Sequence, residues 1–177
     1  LTYDNLVLSL GASPIKPPIA GIDRENILTL RSLADADKIK AYIAKNNSQK
    51  AVVVGGGFIG VEGAENLIEM GLNTSLIELA PQILAPVDEE IAVFAQNELR
   101  KYGCKLILND GVKSFGENEI ETNSGERIAY DIAILAIGVN PDTEIAEKAG
   151  LKLGINRAII VNESMQTSDP NIYAGGD

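Results

Sequence analysis

The sequence predicts an α/β fold, in which a parallel sheet is covered by helices and carries an added three-stranded antiparallel meander. Near-continuous apolar runs such as Ala51–Val54 are typical of parallel strands that are buried on both faces. Segments with apolar residues at helical spacing follow such runs, as in Phe58–Met70. Three short runs separated by turn residues predict the meander: Val112–Phe115, Glu119–Thr122 and Arg127–Tyr130.

The first 48 residues precede this regular alternation. A short strand is predicted over residues 3–9, and three prolines then indicate an extended connector that continues through Gly21. Such a connector is compatible with a crossing between domains and equally with an ordinary surface loop. Ser32 and Asp35 have the spacing of a capping box and predict a helix over residues 33–46.

The later elements follow from the same patterns. A helix is predicted from Asp88 through Tyr102, and a short helix over Glu144–Ala149. The candidate buried stripe of the longer helix is Ile91, Phe94, Ala95, Leu99 and Tyr102. The further predicted strands are Asn73–Glu78, Cys104–Leu108, Asp131–Ile137, Ala158–Val161 and Ile172–Ala174.

Charge and composition limit the possible functions. The chain has 177 residues, of which 25 are acidic and 15 basic, so its net charge is −10. This balance argues against nucleic acid or an anionic membrane surface as a partner. No apolar run approaches the roughly 20 residues that span a bilayer, and no signal-peptide pattern opens the chain. One cysteine and no histidine exclude an intrachain disulfide, a histidine base and a zinc cluster, and favour a cytoplasmic setting.

A glycine-rich loop joins the strand Ala51–Val54 to the helix that follows it. Gly55, Gly57 and Gly60 match the pattern G-x-G-x-x-G. In such a loop the first glycine permits a tight turn, the second lets the backbone approach a diphosphate, and the third lets the helix sit close to the strand. Free N–H groups and the positive end of the helix dipole then face the anion.

An acidic residue about 20 positions later is the second requirement of a dinucleotide site, because it accepts hydrogen bonds from the adenosine ribose. Glu78 lies 21 positions after Gly57, at the end of the next predicted strand. A carboxylate repels a 2′-phosphate, and residues 79–84 contain no cation. The Rossmann-like unit is therefore predicted to bind NAD(H) rather than NADP(H). NAD(H) is also preferred over FAD, which the same fingerprint can bind.

Two further residues have competing interpretations. Glu62 is either a solvated carboxylate near a helix N-terminus or a residue beside the nicotinamide. Cys104 is interpreted as a small buried hydrophobic residue, because no helix N-terminus or cation that would activate a thiol is predicted beside it.

Several motifs in order resemble the pyridine nucleotide–disulfide oxidoreductases. They are Gly55–Leu67 with Gly71–Glu78, Ala136-Ile137-Gly138-x-x-Pro141, and Thr167-x-x-Pro170-x-Ile172-Tyr173-Ala174-x-Gly176-Asp177. The segments Tyr3-Asp4-x-Leu6-x-Leu8-Ser9-x-Gly11-Ala12 and Leu30-Arg31-x-Leu33-x-Asp35-Ala36 are most similar to the branch with CoA-disulfide reductases, NADH oxidases and NADH peroxidases. The resemblance covers nearly the whole chain.

This resemblance implies the central part of a flavoprotein of the FAD/NAD-binding three-layer type, in which NADH passes a hydride to FAD and on to a cysteine-based centre. The implied NADH contacts are Gly55, Gly56, Gly57, Phe58, Ile59, Gly60, Glu62, Glu78, Leu79, Ile137 and Gly138. Gly11 and Asp177 match positions that contact FAD. No catalytic residue and no metal ligand are expected in this chain.

The resemblance also implies a division of the chain. Residues 1–21 and 154–177 would be strands of a FAD-binding domain, 22–48 a connecting segment with a helix, and 49–153 the NAD(H)-binding domain. The family's FAD fingerprint, redox cysteine and dimerisation domain are absent, so we expect a piece of a longer, homodimeric enzyme. It should bind NADH without holding FAD or oxidising NADH.

Three functions stay open at this point. The parent is a cysteine-dependent reductase or oxidase, or a rubredoxin or ferredoxin reductase that needs no redox cysteine, or the chain is a non-catalytic NADH-binding module. The terminal acceptor, whether CoA disulfide, oxygen, peroxide or polysulfide, is not encoded in these residues.

Overall fold

The protein is described by a computed structural model that covers residues 2–177. Within them the strands are β1 (Leu6–Leu8), β2 (Ala12–Pro14), β3 (Ile27–Thr29), β4 (Lys50–Val54), β5 (Asn73–Ile77), β6 (Lys105–Ile107), β7 (Val112–Phe115), β8 (Glu119–Thr122), β9 (Arg127–Ala129), β10 (Ile132–Leu135), β11 (Val139–Pro141) and β12 (Ile172–Ala174). The helices are α1 (Leu33–Asn46), α2 (Phe58–Glu69), α3 (Glu89–Lys101) and α4 (Glu144–Lys148), and Ile155–Arg157 forms a 3₁₀ turn.

The chain divides into two compact units. The larger is Pro14–Gly138, and the smaller consists of Val139–Asp177 with the residues that precede Pro14. These borders differ from the sequence-based division, because segment 22–48 lies inside the larger unit and residues 139–153 lie in the smaller one. Which cofactor each unit serves stays a prediction.

A five-stranded parallel sheet forms the centre of the larger unit, with the strand order β3-β10-β4-β5-β6. Alternate residues of its strands enter two separate cores, as the period of two requires. Val53 and Leu76 pack with residues of α1, α2 and α3. Val52 and Ile77 pack on the other side, with residues of the meander such as Ile120. Helices therefore cover one face of the sheet and the meander covers the other.

The smaller unit has two short strand pairs. Strand β1 pairs in parallel with β12, and β2 pairs with β11. Ala146 of α4, Leu151 and Ile172 form its apolar core. Strands β2 and β11 are not predicted from the sequence, because each is three residues long and contains a proline.

Most predicted elements of the larger unit are confirmed within two residues. Helix α1 has the predicted bounds, and its N-cap Ser32 and Asp35 form the reciprocal hydrogen bonds of a capping box. Helix α2, strands β4, β5 and β6, and the three meander strands also lie where the sequence places them. The meander forms a sheet of its own, β7-β8-β9, rather than an extension of the parallel sheet.

Two predictions about local structure are wrong. The stripe of α3 is rotated, since Ala92, Gln96 and Leu99 are buried whereas Phe94 is 71% exposed; Ile91 and Tyr102 are exposed with it. No strand forms over Ala158–Val161. The backbone there turns instead, because Asn156 and Arg157 take positive φ angles of 52° and 62°.

Across residues 2–177 there is no helix of the length and apolar character needed to cross a membrane.

Candidate nucleotide-binding site

A cleft of about 520 Å³ lies at the carboxyl ends of the central strands. Its walls come from the segments after β10, β4, β5 and β6, in that order along the sheet: residues 136–138, 55–57, 78–79 and 110–112. Hydrogen bonds between neighbouring segments continue the ladder past the strands, as Gly55 N–H donates to Ile77 O (2.8 Å) and Glu78 N–H donates to Ile107 O (2.8 Å). Clefts at this edge of a parallel sheet are where ligands bind in such folds.

The first and third glycines of the loop are fixed by packing against backbone. Gly55 has a φ of +105°, and a Cβ built on it would lie 2.3 Å from the carbonyl oxygen of Ala136. A Cβ on Gly60 would lie 1.9 Å from the carbonyl oxygen of Gly55. Helix α2 thus rests directly on the loop that precedes it, as the sequence predicts for these two positions.

The second glycine is different, because no atom of residues 2–177 occupies the space beside it. Gly57 is the N-cap of α2 with a φ of −71°, which any residue can adopt, and no atom lies within 4 Å of a Cβ built on it. The helix has no side-chain cap hydrogen bond and no acidic residue in its first turn. Its N-terminal N–H groups are therefore available to an anion.

The Glu78 carboxylate is hydrogen-bonded to the glycine loop as well as to the segment that follows β5. Gly56 N–H donates to Glu78 Oε2 (2.5 Å) and Ala80 N–H donates to Glu78 Oε1 (2.7 Å). A Cβ on Gly56 would meet Ile83 Cγ2 at 2.8 Å and Glu78 Oε2 at 3.1 Å, so this middle position also requires glycine. The sequence predicts Glu78 as a ribose ligand but gives no sign of its bond to Gly56.

The other predicted NADH contacts fall into two groups. Leu79, Ile137 and Gly138 line the cleft. Phe58, Ile59 and Glu62 are exposed on the first turns of α2 and are not part of the cleft wall, and Gly60 is buried beneath the loop. The ligand contacts of all these residues stay predictions.

The sequence-based predictions do not include the wall that is contributed by the segment after β6 and by the turn between β8 and β9. Asp110, Gly111 and Asn123 all line the cleft. Asp110 is buried and accepts hydrogen bonds from the Ser124 hydroxyl (2.6 Å) and from the N–H groups of Ser124 (3.2 Å) and Gly111 (2.9 Å). These bonds from Ser124, with a contribution from Thr122, lower the pKa of Asp110 to about 2. The Asp110-Gly111 turn after a strand is the one local signal that could have drawn attention to this wall.

A second cleft, of about 300 Å³, lies within the smaller unit. Gly11 and Asp177 both line it, together with Gly175 and Gly176. The two residues predicted to contact FAD are therefore brought to one place, although 166 positions separate them in the sequence. Their binding of FAD stays a prediction.

Cys104 is buried in the core between the sheet and the helices. Burial raises the pKa of its thiol to about 11, so the thiol stays protonated near neutral pH. This agrees with the interpretation of Cys104 as a packed hydrophobic residue.

Alanine substitutions at two glycines of α2 distinguish the effect of close packing on stability from the effect of helix propensity. Gly60→Ala is expected to destabilise the protein by about 1–3 kcal/mol, since its Cβ would overlap the Gly55 carbonyl. The matched control Gly63→Ala places its Cβ in open space and should stabilise the helix by up to about 1 kcal/mol. Urea unfolding of both variants measures the difference, and equal stabilities would contradict the packing argument.

The lowered pKa of Asp110 predicts that the stability of the protein depends on pH. Because folding lowers its pKa, the ionised carboxylate stabilises the protein above about pH 4, and this contribution is lost as the pH falls toward 2. Asp110→Asn should therefore cost about 2 kcal/mol at pH 7 and progressively less below pH 4. Urea unfolding at several pH values tests this, with the exposed Asp23→Asn as control. If the loss of stability in Asp110→Asn does not change with pH, the ionised Asp110 carboxylate is not the source of the stabilisation.

Comparisons with known proteins show which family the chain resembles. The family model for pyridine nucleotide-disulphide oxidoreductases matches residues 1–177. The chain is 42% identical to an NADH oxidase of Methanocaldococcus jannaschii, covering 100% of this chain and 40% of that protein. It is 36% identical to a coenzyme A disulfide reductase of Staphylococcus aureus strain Newman, covering 99% of this chain and 40% of that protein. The chain thus spans well under half of the length of these relatives.

Solved structures show the same fold. The reduced CoADR-RHD protein of Bacillus anthracis matches with a TM-score of 0.95 and 46% identity, over 99% of this chain and 32% of that one. The water-forming NADH oxidase of Lactobacillus brevis, bound to NADH, matches with a TM-score of 0.89 and 32% identity, over 100% of this chain and 40% of that one. With its whole length matched by the family model, the chain belongs to the pyridine nucleotide-disulphide oxidoreductase family.

Proposed function

We propose that this chain is the NADH-binding part of a FAD-dependent oxidoreductase of the CoA-disulfide reductase and NADH oxidase type. The observation that carries the proposal is the open space at Gly57, at an uncapped helix N-terminus beside Glu78. A diphosphate needs both features, namely close backbone approach and unsatisfied N–H donors.

The glycine loop and Glu78 would hold different parts of the dinucleotide. The N–H groups at the start of α2 would donate to the diphosphate. Glu78 would accept from the adenosine ribose hydroxyls, because a carboxylate has about four lone-pair sites and the backbone N–H groups of Gly56 and Ala80 occupy two. The same bonds fix the orientation of the carboxylate before the ligand arrives.

The cleft favours NADH over NADPH. No lysine or arginine of the described residues 2–177 lines it, so a 2′-phosphate would meet Glu78 without a compensating cation. A relative supports this argument: a variant of the Lactobacillus brevis enzyme that replaces an aspartate by alanine and introduces two arginines is described as an NADPH oxidase bound to NADPH.

The order of segments along the sheet gives the dinucleotide a direction. With the ribose at Glu78 and the diphosphate at Gly57, the nicotinamide would lie toward Ile137 and Gly138, after β10. Bound NADH supplies a hydride there. Phe58, Ile59 and Glu62, exposed near the start of α2, would contact the nicotinamide side of the site.

The parent enzyme would bind FAD in a domain to which residues 1–21 and 154–177 contribute, with Gly11 and Asp177 as contacts. Residues 22–48 would connect it to the NADH domain, residues 49–153. A cysteine-based acceptor, a homodimer and a cytoplasmic location complete the proposal. We expect the chain alone to bind NADH without retaining FAD or oxidising NADH.

A ferredoxin-type reductase is the second candidate. A structure of the covalent putidaredoxin reductase–putidaredoxin complex matches this chain with a TM-score of 0.90 and 33% identity. A redox cysteine upstream in the full reading frame favours the disulfide reductase or oxidase, and its absence favours the ferredoxin-type reductase. A complete reading frame of about 177 codons would instead favour a non-catalytic NADH-binding module.

Gly57→Ala tests the diphosphate site directly. The added methyl group fits the fold but occupies space that the diphosphate needs, so NADH affinity should fall by about tenfold or more while stability is retained. Isothermal titration with NADH measures the affinity. The matched control Gly63→Ala, on the next turn of the same helix, should bind within about twofold of the unmodified chain. If Gly57→Ala binds NADH as tightly as the control, the diphosphate does not lie at this loop.

A further inference from the structure

The cleft continues beyond Glu78, on the side opposite to Ile137 and Gly138. In the strand order, β5 is followed by β6, so the segment after β6 lies next to Glu78 and away from the loop after β10. A dinucleotide whose ribose lies at Glu78 would extend its base toward Leu79, Gly111 and Asn123. This inference rests on the proposed NADH site.

Asn123 is held at this end of the cleft by its backbone. Its N–H donates to the Gly111 carbonyl oxygen (2.8 Å), which joins the β8–β9 turn to the segment after β6. The neighbouring Ser124 is bound to the buried carboxylate of Asp110 through both its hydroxyl and its N–H. Asp110 therefore acts as a positioning residue for the turn that carries Asn123.

The side-chain amide of Asn123 faces this end of the cleft with its hydrogen-bonding capacity unused. Asn123 is exposed and lines the cleft, and its amide has no hydrogen-bond partner among residues 2–177. The amide offers one acceptor and two donors. The amide can therefore recognise a ligand through hydrogen bonds to the ligand's polar edge.

Gly111 leaves space between two side chains of this wall. A Cβ built on it would lie 2.8 Å from Asn123 Nδ2 and 3.3 Å from Leu79 Cδ1. Its φ is not positive, so the backbone conformation itself does not require glycine. The residue is small because Leu79 and the Asn123 amide both approach it, which gives this end of the cleft one apolar and one polar side.

We propose that Asn123 recognises the adenine base of NADH and makes the site selective for a 6-amino purine. The amide oxygen would accept from the exocyclic amine N6, and the amide NH₂ would donate to ring nitrogen N7, the pairing that asparagine makes with the N6/N7 edge of adenine elsewhere. A 6-oxo purine presents an acceptor in place of the amine, so it loses one of the two bonds and faces the amide oxygen with another acceptor.

Reduced nicotinamide hypoxanthine dinucleotide is the matched probe, since it differs from NADH only at that base. The full 177-residue chain should bind NADH about fivefold to tenfold tighter than this analogue, the effect of one hydrogen bond. Asn123→Ala should reduce the preference to within about twofold. Gly111→Ala, which displaces the Asn123 amide, should reduce it as well. The control Asn118→Ala, in the other turn of the same meander, should keep the full preference.

The outcomes separate this inference from the proposed function. If the unmodified chain binds neither dinucleotide, the NADH site itself is wrong. If it binds both equally, or if Asn123→Ala and Gly111→Ala keep the preference for NADH, the site stands and Asn123 does not read the base. Circular dichroism of each variant verifies that the fold is retained.

Discussion

The close approach of helix α2 to the loop before it is the contact on which the site depends. Gly60 lies against the carbonyl of Gly55, and Gly55 in turn lies against the carbonyl of Ala136 at the end of β10. At both contacts a glycine lies directly against the backbone carbonyl of another segment. This stacking aims the N-terminus of α2 at the carboxyl edge of the sheet, and it leaves Gly57 as the position where an anion can approach.

Glu78 connects the glycine loop to the segment that follows β5. By accepting from Gly56 N–H and Ala80 N–H, its carboxylate orders the glycine loop and the segment after β5 together. The residue proposed to select the ribose is therefore also a structural residue of the loop. A substitution at Glu78 should change the geometry of the diphosphate site as well as cofactor preference, and the two effects have to be separated by comparing stability with affinity.

The sequence predicts the parts of this arrangement that are local or have a fixed spacing. The roles of Gly55 and Gly60, the position of Glu78 at a strand end and the capping box of α1 all follow from short patterns. The rotation of α3 does not follow from such a pattern. Its two possible buried faces share Ala95 and Leu99, and packing against the neighbouring strands determines which face is buried. The wall formed by Asp110 and Asn123 also depends on a contact between segments 13 positions apart, which no period or motif marks.

The cleft is proposed to bind NADH through the Glu78 carboxylate, beside which the described residues place no lysine or arginine in the cleft wall. The most direct test is isothermal titration of the 177-residue chain with NADH and with NADPH under the same conditions. We predict that NADH binds at least about tenfold more tightly than NADPH, because a 2′-phosphate would face Glu78. Equal affinities, or tighter binding of NADPH, would contradict it.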